Sequence, residues 1–309
     1  MIPKNPGCFD PQVNGYAGID FQSDRVTSQD LHAAVQAWRR DSGDRFLLTL
    51  VTDAWPKLVS RLRRLRQLVS AEPGLREVIP GWHIEGPFLS DQSGFHGAHD
   101  PALTLDPTPA HIRELRDAVE DDPLLLTLAP ERKGAVEAIQ TAVHLGITVS
   151  LGHTNASESQ LREAASAGAS GFTHLGNACP QQLDRHDNIL WRVADIPGLI
   201  IGLIADGMHV SPPLFRLFHR VFPMERLYYT TDAMAAAGAP PGEYSLGNLR
   251  LAVGADRIVR QPGRTNFAGS ALCPDEIEPR VTAMLGESAI TRVRQSSQNV
   301  SSWLGIQPA

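Results

Sequence analysis

The chain has 309 residues, of which 42% are hydrophobic and 20% charged, a mixture that suits a globular protein with a sizeable core. Its formal net charge of -6 argues against nucleic acid as a partner, yet leaves room for an anionic ligand held by local arginines. Cys8, Cys179 and Cys273 are scattered without CxxC spacing, the start MIPKNPGCFDPQ lacks a signal-peptide layout, and no apolar run reaches the ~18 residues of a membrane span, so a cytoplasmic protein is expected.

Eight short apolar runs that end in polar residues follow one another along the chain: CFDPQVNG (8–15), RFLLTLVTD (45–53), EVIPGWHIEG (77–86), LLLTLAPE (124–131), ITVSLGHT (147–154), SGFTHLGNA (170–178), LIIGLIADGMH (199–209) and RLYYTTDAM (226–234). Continuous runs of this length read as strands buried on both faces of a parallel sheet. Helical patterns separate them. SQDLHAAVQAWRR opens with Ser28 as its cap, SESQLREAASAG carries helical apolar spacing and a final glycine, and LVSRLRRLRQLV is amphipathic with its arginines on a solvated face. Residues 240–268 alternate between turn signals and read as a β-hairpin excursion after the eighth strand, and helical patterns return from Pro274 to Leu304.

Eight strand–helix alternations are expected to form a (β/α)8 TIM-type barrel, a single domain over 1–309. Strand counting alone also allows a doubly wound sheet. The barrel is preferred because the polar residues gather at the C-terminal ends of the runs, where barrel active sites lie.

Three of those residues form a candidate metal set. Glu85 ends strand three, His153 ends strand five and His174 lies on strand six. One carboxylate and two imidazoles, with a position left open, match a catalytic zinc centre. Asp232, in YYTTDAM, reads either as a helix N-cap or as a general base that later serves as acid. His209 follows a strand too apolar to need a polar ending, and reads either as a surface histidine or as a hydrogen-bond partner of a substrate carbonyl or hydroxyl, the second being preferred.

The stretches DPQVNGYAGIDF, HIEGPFL, GAHDP, LGHTNAS, THLGNA, IADGMHV, TTDAM and FAGSAL, in that order from residue 10 to about 272, resemble the N-acetylglucosamine-6-phosphate deacetylases of the amidohydrolase superfamily. The resemblance implies one divalent metal ion, usually zinc, on Glu85, His153 and His174, with Asp232 as acid and base. It also implies substrate contacts from Gln12, His99, Asn177, Ala178 and His209, and an arginine, here Arg185, offered to the substrate phosphate across a homodimer interface. The substrate implied is N-acetylglucosamine-6-phosphate. N-acetylgalactosamine-6-phosphate, a nonphosphorylated N-acyl compound or a noncatalytic sugar-phosphate-binding barrel are the alternatives.

Departures from the family are specific. Gln12-Val13-Asn14 stands where many amidohydrolases carry a His-x-His pair, so one metal is expected rather than two. HDN follows Arg185 in place of an acidic residue, Pro and Gly; Cys179 replaces a usual methionine; and SALCP stands at the end of the last motif. The family's small β-sandwich domain is not expected here, and its lack is expected to expose apolar barrel surface beside strand one or to demand a partner that covers it.

Overall fold

In the computed structural model, which describes residues 7–262 and 267–307, each of the eight apolar runs meets one strand of a single large sheet. These are β1 (Cys8–Val13), β2 (Gly43–Val51), β3 (Gly81–Glu85), β4 (Leu124–Leu128), β5 (Thr148–Leu151), β6 (Gly171–Phe172), β7 (Ile200–Ile204) and β8 (Leu227–Thr230). They form one sheet in chain order, and every ladder in it is parallel. The fold is the (β/α)8 barrel, which settles the choice against a doubly wound sheet.

The seam between β8 and β1 closes differently from the other seven. Val13 bridges Ala233 just past β8, and the Asn14 N–H donates to the Ala233 carbonyl at 2.7 Å. Lower down, the buried Asp10 carboxylate accepts from the Thr231 N–H at 2.7 Å and from the Thr230 and Thr231 hydroxyls at 2.5 and 2.6 Å. The last helix supplies the rest. Ser297 Oγ accepts from the Phe9 N–H and Ser296 Oγ from the Tyr229 N–H, so strand amides facing the seam are satisfied by side chains.

Residues two apart on a strand share a face, and the lumen is graded in polarity as a result. At its base lie Phe9, Leu47, Leu125 and Tyr228, in one apolar cluster with Val300 and Ile306. Gly202 is required here: a Cβ on it would lie 2.5 Å from the Tyr228 ring. One step up, Thr49, His83, Thr127, Ser150 and Thr173 replace apolar side chains. His83 Nε2 meets Thr127 Oγ1 at 2.8 Å, Thr127 meets Thr173 at 2.7 Å, and Thr173 donates to Ser150 at 2.7 Å. Another step up stands Glu85. The chain thus passes from apolar to neutral polar to charged along its own strands.

Ten helices surround the sheet among the described residues: α1 (Ser28–Arg40), α2 (Trp55–Ser70), α3 (Pro73–Val78), α4 (Pro109–Val119), α5 (Ala135–His144), α6 (Glu158–Ser166), α7 (Ile189–Ala194), α8 (Pro212–Val221), α9 (Pro274–Leu285) and α10 (Ile290–Leu304). Three expectations need correction. The cap of α1 is Thr27, whose hydroxyl accepts from the Asp30 N–H in a capping box, and Ser28 is already helical. Glu77 and Val78 close α3 instead of opening β3. The arginines of α2 do not all face solvent: Arg61 is buried between Asp24 (2.8 Å) and Asp53 (3.0 Å). No local period announces this, because one of its partners lies on a loop before α1.

The excursion after β8 is a three-stranded antiparallel meander, β9 (Gly242–Leu246), β10 (Leu249–Val253) and β11 (Val259–Arg260), and so is larger than a hairpin; residues 263–266 of it lie outside the described residues. Leu246, Leu251, Val253 and Val259 pack on Met234, Ala235 and Ala268 in a small core of their own. Asp20 pins the tip by accepting from the Ser245 hydroxyl at 3.0 Å and the Gly247 N–H at 2.9 Å. Among the described residues the expected apolar exposure beside strand one is not found: β1 is buried along its whole length, and the exposed large hydrophobics are Val143, Trp191 and Val221, on α5, α7 and α8. No helix among the described residues is long and apolar enough to cross a membrane.

Candidate active site

The C-terminal mouth of the barrel carries strained backbone at its candidate site residues. His153, His174 and Asp232 each lie two residues beyond the last residue of β5, β6 and β8, and each adopts a left-handed φ, at 51°, 32° and 48°. Such angles are uncommon for residues other than glycine, and collect at functional sites where surrounding structure holds them in place. The expectation that His153 ends its strand and His174 lies on one is adjusted accordingly: both stand on the sharp turn that follows. Asp232 caps no helix, since the chain runs on through Ala233 into bridges with Val13 and Ser270.

The turns bring these groups onto Glu85. His174 Nε2 is 2.6 Å and His153 Nε2 3.2 Å from Glu85 Oε1, while His99 Nε2 is 3.5 Å from Oε2. Gln12 Nε2 donates to Oε1 at 2.9 Å. Burial alone would raise the Glu85 carboxyl, but His153 and His174 outweigh it and hold the group well below the usual carboxylate range. Burial, and then His99, push the His153 imidazole down to about 4 against the pull of Glu85. Burial opposes charge on His174, yet Glu85 beside it raises that imidazole above its ordinary value. Gly97 leaves room for the His153 ring, which a Cβ there would approach to 2.9 Å.

An anionic carboxylate ringed by imidazoles in a buried pocket is the donor set of a catalytic divalent-metal centre. Ligand atoms of Glu85, His99 and His153 lie within 4.8 Å of one another, and the buried His153 Nδ1 has no partner among the described residues. These residues fit a metal ion. His99, which the resemblance places on the sugar, reaches the same carboxylate because the loop after β3 folds back; its Nδ1 lies 2.8 Å from Thr52 Oγ1.

Asp232 faces the same cleft. Burial, and then the Glu85 charge, push its carboxyl up to about 7, where a proton can be both taken and given. Asn14 Nδ2 donates to its Oδ1 at 2.8 Å. His209 is oriented by Asp206, whose Oδ2 lies 2.6 Å from Nδ1 while its Oδ1 accepts from the Met208 and His209 N–H groups. That leaves His209 Nε2 buried with no partner among the described residues. It accepts when the ring is neutral and donates when the ring is protonated.

Glu85, His99, His153, His174, Asn177, His209 and Asp232 all line one cleft of about 930 Å³, counted with its open mouth. Gln12 does not; it stands behind Glu85 and steadies it. Ala178 sits beside Gly97 with a left-handed φ of 48°, outside the lining. Arg185 is exposed on the loop before α7 and does not line this cleft. Among the described residues it has no carboxylate partner: Asp187 pairs with Arg192 at 2.5 Å, and Asp184 accepts from the His186 and Asp187 N–H groups. The sequence reading missed Asn14, Asp206 and Arg61, and the tip of the meander, where Leu246 to Leu249 enter the cleft wall. Asp206 carried a signal, an acid three residues before His209; the others take their places through contacts distant in sequence.

No family model matches the chain. Individual relatives do. It is 31% identical over 97% of its length to the N-acetylglucosamine-6-phosphate deacetylase of Danio rerio, covering 75% of that protein. It is 29% identical over 97% of its length to the N-acetylgalactosamine-6-phosphate deacetylase of Escherichia coli O157:H7, covering 78% of that protein. Among solved structures it superposes on a point mutant of the Mycobacterium smegmatis N-acetyl-D-glucosamine-6-phosphate deacetylase, in complex with N-acetyl-D-glucosamine-6-phosphate. That match has a TM-score of 0.87 and 32% identity, covering 98% of this chain and 78% of that one. The order of the strands, the histidine-ringed Glu85 and these relatives agree: the chain belongs to the N-acetylglucosamine-6-phosphate deacetylase family, a family of amidohydrolases.

Proposed function

We propose that the protein hydrolyses the N-acetyl group of N-acetylglucosamine-6-phosphate, giving glucosamine-6-phosphate and acetate. The observation that carries this reading is the shared cleft, in which Asp232 faces a carboxylate ringed by imidazoles. Glu85, His153 and His174 would hold a single divalent ion, zinc by the chemistry of the donors, with His99 close enough to adjust its surroundings. Bound there, such an ion lowers the pKa of water and draws charge from the acetyl carbonyl.

The remaining work falls to side chains. Asp232 takes a proton from the attacking water as the water oxygen bonds to the carbonyl carbon. It returns that proton to nitrogen as the C–N bond breaks, so that the amine leaves neutral. His209, steadied by Asp206, donates to a substrate oxygen when protonated. Asn177 and His99 contact the sugar. Arg185, exposed and without a carboxylate partner among the described residues, reaches the phosphate of a substrate bound in the neighbouring subunit of a homodimer, where its fork suits phosphate oxygens.

A screen of zinc-loaded protein against N-acetylglucosamine-6-phosphate, N-acetylgalactosamine-6-phosphate and N-acetylglucosamine tests the reading. The highest kcat/KM is expected for the first. A preference for the second transfers the protein to the activity of its Escherichia coli relative, and a preference for the unphosphorylated sugar removes the role given to Arg185.

A further inference from the structure

Asn14 follows β1 and lines the cleft beside Asp232. Its backbone is fixed on both sides. Its N–H donates to the Ala233 carbonyl at 2.7 Å, and its own carbonyl accepts from the Phe21 N–H at 3.2 Å and from Gln22 Nε2 at 3.3 Å. Its side chain is buried, with Nδ2 donating to Asp232 Oδ1 at 2.8 Å. In the ionised form that takes the proton from water, Asp232 only accepts, so in that state the Nδ2 end of the Asn14 amide faces it and Oδ1 faces away. The other end, Oδ1, is buried and has no hydrogen-bond partner among the described residues. Leaving a buried acceptor unmatched is costly, and a rigid site keeps one where a ligand brings the donor.

The proposed function says which donor. Asp232 must hand its proton to the leaving nitrogen, so that nitrogen comes within hydrogen-bond reach of Asp232. The two ends of the planar Asn14 amide are a short step apart, and an acceptor joined to the group that grips Asp232 is placed against the same nitrogen. We infer that Asn14 Oδ1 accepts a hydrogen bond from the nitrogen of the scissile amide, so that the site reads the N–H that distinguishes an amide from an ester. This rests on Asp232 as the acid and base. The contact strengthens as the nitrogen is protonated, because the donor gains charge.

Calorimetric binding to zinc-loaded protein separates this role from simple support of Asp232. Two ligands are compared: glucosamine-6-phosphate, which carries nitrogen donors, and 2-deoxyglucose-6-phosphate, which has nothing at that carbon. Asn14→Ala is made in the parent protein and in Asp232→Ala, with Asn14→Leu, closer in volume, as the check on packing. Each Asn14 variant is expected to bind the amine about 10-fold more weakly in both backgrounds, and the deoxy sugar within about twofold of its reference. Loss of the amine effect in the Asp232→Ala background, or equal weakening of both ligands, overturns the inference while leaving the deacetylase reading intact. A parent protein that binds neither sugar and releases no acetate from N-acetylglucosamine-6-phosphate overturns the deacetylase reading itself, and the inference with it.

Discussion

The two ends of the barrel obey opposite rules. At the base, Phe9, Leu47, Leu125 and Tyr228 pack with Val300 and Ile306, the Tyr228 ring stacks 5.6 Å from Trp303, and the seam amides are matched by serines of α10. At the mouth, three side chains stand on left-handed backbone, and Gln12 Oε1, Asn14 Oδ1, His153 Nδ1 and His209 Nε2 are buried without partners among the described residues. Strain and unmatched polar atoms both work against stability. Both occur elsewhere too, at Ser42 and Glu120 and at Trp38 Nε1 and Arg116 Nε, but at the mouth they fall on groups that face or back the cleft, and the apolar base supplies stability that those groups give up for binding and chemistry.

Substitutions at the two ends should therefore fail in different ways. The largest loss of function is expected from His153→Ala, which removes one of the proposed donors to the metal. Bound zinc, measured by elemental analysis, and deacetylation should disappear together while circular dichroism still reports a folded barrel. Stoichiometric zinc in that variant would move the metal elsewhere. Next comes Asp232→Asn, which keeps the contact with Asn14 in shape but cannot take a proton. Turnover should fall by about 10²–10⁴-fold with metal content unchanged, and near-normal turnover would assign the proton to another group.

A smaller effect is expected from Arg185→Ala. The KM for N-acetylglucosamine-6-phosphate should rise about 10-fold, that for N-acetylglucosamine should barely move, and sedimentation should show a dimer. Equal effects on both sugars would return Arg185 to the surface. The smallest effect on catalysis belongs to the base. Leu125→Ala should lower stability by about 2–5 kcal/mol in denaturant titrations yet leave kcat within about twofold. A catalytic defect as large as that of Asp232→Asn would mean that base and mouth are coupled, and the division of labour would not hold.

The same division explains what could be read from the sequence. All eight strands were visible because both faces of each are buried, so the apolar runs are continuous, and Glu85, His153, His174 and Asp232 stood out as polar groups at their ends. Local rules failed wherever a partner came from far along the chain. Arg61 looks like one more solvated arginine of α2 until Asp24 and Asp53 are brought against it. Asn14 looks like a weak replacement for a ligand until Asp232, 218 residues later, closes the seam beside it. His99 gives no sign in the sequence that its loop also turns it toward Glu85. The serines of α10 carry no sign that they finish a barrel seam.

That the mouth is a metal-dependent deacetylase centre is tested most directly by acetate release from N-acetylglucosamine-6-phosphate, using chelator-stripped protein titrated with zinc. Stripped protein should release none, and activity should rise with added zinc and level off at one metal per chain. Full activity without metal, or a plateau reached only at two metals per chain, would contradict the account.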